Sequence, residues 1–216
     1  MREQITLKEA QGWYADADPV HDFDHVLRVY RIAERLAEAE EADLEIVRAA
    51  ALLHDSRGSA PGASGSARAE HHLASAEFAG EILAEKGWQQ EKIAAVQHCI
   101  RSHRFRGQDD KPETLEAQVL FDADKLDVLG AIGAARTIAY AALEGEPAYA
   151  EPSEQFIHTG VKMPGEPHSS YHEFIFKLRH VKDRLFTPSG KALAEARHAY
   201  LVGFYQQLEA EVRGER

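Results

Sequence analysis

An apolar run, Ala49-Ala50-Ala51-Leu52-Leu53, leads without a turn signal straight into His54 and Asp55. A run of this kind belongs inside a fold. A core helix seldom closes on an imidazole and a carboxylate unless something at its end needs them. Side by side, the two groups can hold one divalent cation between them. A cation needs more ligands than two, so the rest of the chain must fold to bring others in. Two stretches offer them. One is His21-Asp22-Phe23-Asp24-His25, running into Val26-Leu27-Arg28-Val29. The other is Phe121-Asp122-Ala123-Asp124-Lys125-Leu126-Asp127.

Helical spacing dominates what surrounds these stretches. Val26, Val29, Tyr30, Ala33, Leu36 and Ala37 recur at intervals of three and four and predict a helix over about 24–39. Asp43 reads as the N-cap of the next helix, which Leu44, Val47, Ala50 and Ala51 carry to His54. Further helices are predicted over 70–85, around Ile93 to His103, over 113–129, over 171–185 and over 189–212. In the last, Leu193, Ala196, Tyr200, Phe204 and Leu208 form the expected apolar face. Strings of β-branched residues are nearly absent, so an all-α fold is expected. At 216 residues the chain fits one domain over 1–216, with a core at about 21–136 and C-terminal helices over 171–212. Residues 145–170 hold four prolines and three glycines and read as an irregular, lid-like insertion.

A lone histidine, then His-Asp, then a distant aspartate within Ala123-Asp124-Lys125-Leu126 resembles the HD-domain metal-dependent phosphohydrolases. The stretch Leu120 to Arg136 and the later Phe176-Lys177-Leu178 are similar to the bacterial stand-alone subgroup. The resemblance implies a single-domain HD-type helical fold with the metal between helices, held by His25, His54, Asp55 and Asp124. It implies hydrolysis of a phosphoester or phosphoanhydride, with a nucleotide as the preferred substrate. Asp55 would take a proton from water. His71, His103, Lys125 and Arg28 would stabilise charge on the phosphate or leaving group. The resemblance also leaves room for a second ion, because two-metal HD proteins draw extra histidines from the helices after His-Asp, where His71, His72, His98 and His103 lie. A di-iron oxygenase and a non-catalytic metal-binding sensor are the alternative readings.

Imidazole and carboxylate ligands without thiolate suit Mn²⁺, Mg²⁺, Fe²⁺, Co²⁺ or Ni²⁺ rather than a structural zinc. The net charge of −11 argues against a nucleic-acid or anionic-membrane surface, yet a bound metal can reverse the field locally for an anionic small molecule. No apolar run reaches membrane-spanning length, the first residues are no signal peptide, and the single cysteine suits a reducing cytoplasm. Oligomeric state is not legible. Cys99 reads as a structural thiol, and Arg104, Arg106 and Lys111 as a solvated basic loop able to steer an anion. Asp127 shares the Asp124 face as an acid that orients a histidine or pairs with a cation, while Asp122 points elsewhere. His21 and Asp22 read as a capping cluster.

Overall fold

The computed structural model describes residues 3–14, 23–57, 66–105 and 110–216. Among these, every regular element is helical, as the composition requires. The chain divides into two compact units. The first comprises 1–124 with 186–190, and the second comprises 125–185 with 191–216.

The first unit opens with α1 (Leu7–Gln11), whose N-cap Thr6 and third residue Glu9 bond each other's backbone amides as a capping box. A 3₁₀ turn, Gly12–Tyr14, follows. The Tyr14 hydroxyl donates to the Leu52 carbonyl at 2.9 Å, and Trp13 meets Phe78 edge-on at 5.4 Å. These contacts tie the N-terminal segment to the layer behind it. Helix α2 (Phe23–Glu40) buries Val26, Val29, Ala33, Leu36 and Ala37 of the predicted stripe, adds Ile32, and leaves Tyr30 at its edge.

Helix α3 (Leu44–Leu53) starts where Asp43 accepts from the Glu45 and Ile46 amides, at 2.9 and 3.3 Å. Its residues from Ala49 to Leu53 are all buried. It packs on α2 and on α5 (Gln90–Ser102), while α4 (Ser66–Glu85) packs on α5. A helix enclosed on several sides needs small residues and no exposed face, and the alanine run supplies both. Helix α6 (Leu115–Leu126) begins after Thr114, whose hydroxyl accepts from the Ala117 amide at 3.2 Å.

Asp122, near the end of α6, is wholly buried. Its carboxylate accepts from the Phe186 amide at 2.9 Å and from the Thr187 amide and hydroxyl at 2.8 and 2.6 Å. Thr187 in turn accepts from the Gly190 amide, which caps α10 (Pro188–Val212). Asp122 therefore points away from the ligand cluster, as expected from its place two residues before Asp124, and anchors the start of the last helix.

The helix expected over 113–129 is α6, which ends three residues early at Leu126. Leu129 caps a new helix, α7 (Gly130–Leu143), which Gly130 enters at φ +72°. Only a residue without Cβ takes that conformation cheaply. A Cβ on Gly133 would collide with the Val128 carbonyl, so the small residue there allows a close approach of the chain at the bend. Asp127, just past α6, is buried and accepts from Arg136 at 2.6 Å.

The insertion over 145–170 contains α8 (Glu154–Thr159), which the proline and glycine count did not suggest. Glu166 organises it, accepting from the Ser153 amide and hydroxyl, the Met163 amide and the buried His172 ring. The helix expected over 171–185 is α9 (Ser170–Phe176) followed by a 3₁₀ stretch, Leu178–Arg184.

On α10 the buried apolar side chains are Ala194, Leu201 and Tyr205, one position off the predicted face, and Tyr200 is 55% exposed. Tyr205 stacks on Phe174 at 4.4 Å, and that ring partner sets which of two adjacent apolar stripes turns inward. No single described helix is long and apolar enough to cross a membrane.

Candidate metal centre

Helices α2, α3, α4, α5 and α6 each deliver a side chain to one place in the first unit. His54 follows the last residue of α3, and its ring Nδ1 lies 2.8 Å from the Ala51 carbonyl. His103 occupies the same position after α5, with Nδ1 2.6 Å from the Ile100 carbonyl. The last carbonyls of a helix have no amide partner within it, so a histidine three residues on can satisfy one with its ring. A carbonyl only accepts, so Nδ1 carries the proton in both rings and a neutral ring presents Nε2 as a lone pair. Burial first of all pushes the His103 imidazole down to about 4, which keeps it neutral near pH 7.

Those lone pairs face carboxylates. Asp55 Oδ2 is 3.5 Å from His54 Nε2, and Oδ1 is 3.4 Å from His103 Nε2. His25, the third residue of α2 and 2% exposed, places Nε2 3.8 Å from Asp55 Oδ2 and 3.6 Å from Asp124 Oδ1. The turn carrying Asp55 is itself pinned. Ser56 donates to the Leu53 carbonyl at 2.8 Å, and the Arg57 amide donates to Ser75 Oγ at 3.1 Å.

His54 decides whether this set suits a cation. Its Nε2 is fully buried and has no hydrogen-bond partner, a costly arrangement for a ring nitrogen unless an ion satisfies it. The spacing agrees. Two atoms each about 2.1 Å from one ion stand about 3.0 Å apart at a right angle and about 4.2 Å apart when opposite. The separations of 3.5, 3.6 and 3.8 Å around His25 and His54 fall between these limits. His25, His54 and Asp55 form one group able to hold a metal, and Asp55, His71 and His103 form another.

The remaining candidates divide. His71, on α4, reaches Asp55 Oδ1 at 3.1 Å with Nε2. His72 meets the rings of His71 and His103 edge-on, with centroids at 6.2 and 6.5 Å. His98 is turned away, since its Nε2 accepts from the Glu113 amide at 3.2 Å. Arg28 lies three residues after His25 and so shares its face of α2. Lys125 follows Asp124 directly on α6, about a third of a turn round the helix, and is the first residue of the second unit.

Cys99 is buried and its thiol pushed upward by that burial, the inert thiol that was expected. Lys111 is exposed, as read from the sequence. Arg104 differs from that reading, because its guanidinium donates to His71 Nδ1 at 3.0 Å. Its position directly after His103 was the available signal. His21, Asp22 and Arg106 lie outside the described residues.

The chain resembles known proteins in sequence and in fold. The HD domain family matches residues 22–129. The chain is 30% identical over 222 aligned positions to the protein YpgQ of Bacillus subtilis, covering 99% of this chain and 97% of that one. The crystal structure of YpgQ in complex with ADP superimposes with a TM-score of 0.72 at 28% identity, covering 97% of this chain and 99% of that one. An HD-superfamily hydrolase from Bacillus thuringiensis gives 0.67 at 29% identity, covering 96% and 93%. Matched in sequence over residues 22–129, and in structure along nearly its whole length, the chain belongs to the HD-domain family.

Proposed function

We propose that this chain is a metal-dependent phosphohydrolase that cleaves a phosphoester or phosphoanhydride bond in a nucleotide. The observation that carries the reading is the convergence of His25, His54, Asp55 and Asp124, with the buried Nε2 of His54 left for an ion to satisfy. The nucleotide preference is supported by the ADP bound to YpgQ. A divalent metal held there supplies Lewis acidity, lowering the pKa of bound water and polarising a phosphoryl oxygen.

The chain's own groups do the rest. A metal-ligating histidine binds through a neutral ring, so the two carboxylates would offset most of a divalent ion's charge. A nucleotide phosphate then needs cationic partners beyond the ion. Arg28, on the His25 face of α2, and Lys125, beside Asp124, are the side chains proposed for its oxygens. His103 and His71 flank Asp55, and Asp55 is the carboxylate proposed to take the proton of the attacking water.

The test is a panel of nucleoside mono-, di- and triphosphates with p-nitrophenyl phosphate, assayed after chelation and reloading with Mn²⁺, Mg²⁺, Co²⁺ or Ni²⁺. Separating phosphate from pyrophosphate among the products identifies the bond cut. Metal-loaded protein that hydrolyses none of these esters overturns the proposal.

A further inference from the structure

The two histidines that flank Asp55 look equivalent in distance and are opposite in chemistry. His103 turns Nδ1 to the Ile100 carbonyl, which only accepts, and so offers Nε2 as a lone pair. His71 turns Nδ1 to Arg104 NH1 at 3.0 Å. A guanidinium only donates, so that nitrogen of His71 must be the acceptor. The proton of the ring is therefore on Nε2, the atom 3.1 Å from Asp55 Oδ1. At that distance an N–H donor and a carboxylate oxygen form an ordinary hydrogen bond.

We infer that Arg104 is a positioning residue that fixes His71 in the Nε2–H form, so that His71 donates to Asp55 and offers no lone pair to a second metal ion. The inference rests on the reading of Asp55 as a metal ligand, but its central claim, where the His71 proton sits, does not depend on any activity. It divides the Asp55, His71 and His103 group in two. His103 keeps a nitrogen able to bind an ion. His71 becomes the partner that orients a ligating carboxylate, in the way a ligand's outer hydrogen bond fixes its direction.

The sequence has a matching economy, since Arg104 and His103 are neighbours at the end of α5. One turn of chain thus sets the proton position of two histidines, one through a backbone carbonyl and one through a guanidinium.

The experiment is a long-range proton–nitrogen correlation spectrum of the full-length, ¹⁵N-labelled protein, first metal-free and then with Mg²⁺, with His71 assigned by its loss in His71→Gln. The expected result is a proton on Nε2 of His71 and on Nδ1 of His54 and His103. Mg²⁺ should leave the His71 pattern unchanged. Arg104→Met should turn His71 into a mixture of the two forms, and Arg104→Lys should restore the single form.

Calorimetry with Mn²⁺ gives a second readout that survives a poorly folding Arg104 variant. His71→Gln, whose amide can donate from nearly the same point, should bind within about threefold of the native affinity, and His71→Ala about tenfold more weakly. A His71 proton found on Nδ1 overturns the inference. So does a second ion per chain that disappears in His71→Gln.

Discussion

Asp122 and Thr187 are joined by two hydrogen bonds to one carboxylate oxygen, from the Thr187 amide at 2.8 Å and its hydroxyl at 2.6 Å. Asp122 precedes a proposed metal ligand by only two residues, yet its charge is committed to holding the start of another helix. The two aspartates of this stretch should therefore fail differently. Asp122→Asn should lower stability by about 2 kcal/mol, because an amide turned toward three donors satisfies them poorly, and leave metal affinity intact. Asp124→Asn should weaken metal binding and activity with little change in the stability of the metal-free chain. Denaturant unfolding beside metal calorimetry separates the two, and the reverse pattern would displace Asp124 as the ligand.

His54→Ala and Asp55→Ala should lower metal affinity by more than about 100-fold, beyond what losing an outer partner costs, while keeping the native helix content. His54 stands just past α3, so its ring serves the cluster and one carbonyl rather than the packed interior of the helix. Metal analysis with circular dichroism checks this. Full occupancy in either variant would remove that residue from the proposed set.

Removing the ion should destabilise the native protein. At a free metal concentration 100 times Kd the ion contributes about 2.7 kcal/mol, which for a chain of this size raises the apparent Tm by roughly 5–10 °C. Melting curves with and without EDTA should show that gap in the native chain and none in Asp55→Ala.

Glu166 gives a prediction about pH. Hydrogen bonds from the Ser153 backbone first, then from the Met163 backbone, the Ser153 hydroxyl and the His172 ring, hold its carboxyl down at about 2 against an ordinary 4.5. A carboxyl depressed in the folded state stabilises above its unfolded value and loses that contribution as pH falls through the folded one. Protection of the Met163 and Ser153 amides from hydrogen exchange should accordingly decline below about pH 4.5 and be gone near pH 2. Glu166→Gln should already lack it at pH 7. Amides that stay protected in the variant would show that Glu166 does not organise 151–169.

What was legible in the sequence followed from local rules. The α3 cap at Asp43, the buried alanine run and the placing of His54 and Asp55 after it all depend on residues within one helix of each other. His25 meets Asp55 and Asp124 in space, as the resemblance of their segments to a known family implies, and their role as ligands is the proposal made above. The division among the surplus histidines was not legible. His98 goes to the Glu113 amide and His71 to Arg104, partners 15 and 33 residues away. No periodicity in the helices reports such contacts. On α10 two adjacent stripes are apolar, and only the stacking of Tyr205 on Phe174 chooses between them.

The rings of His54 and His103 are both oriented by the backbone of their own helix, three residues back. Backbone carbonyls are the same whatever side chain the residue carries. Either ring would therefore keep its heading through substitutions at Ala51 or Ile100 that preserve the helix. This half of the site is heritable through drift: it asks for a helix end of the right length and a histidine just beyond it. The other half, where His71 depends on one guanidinium, is open to loss by a single codon change.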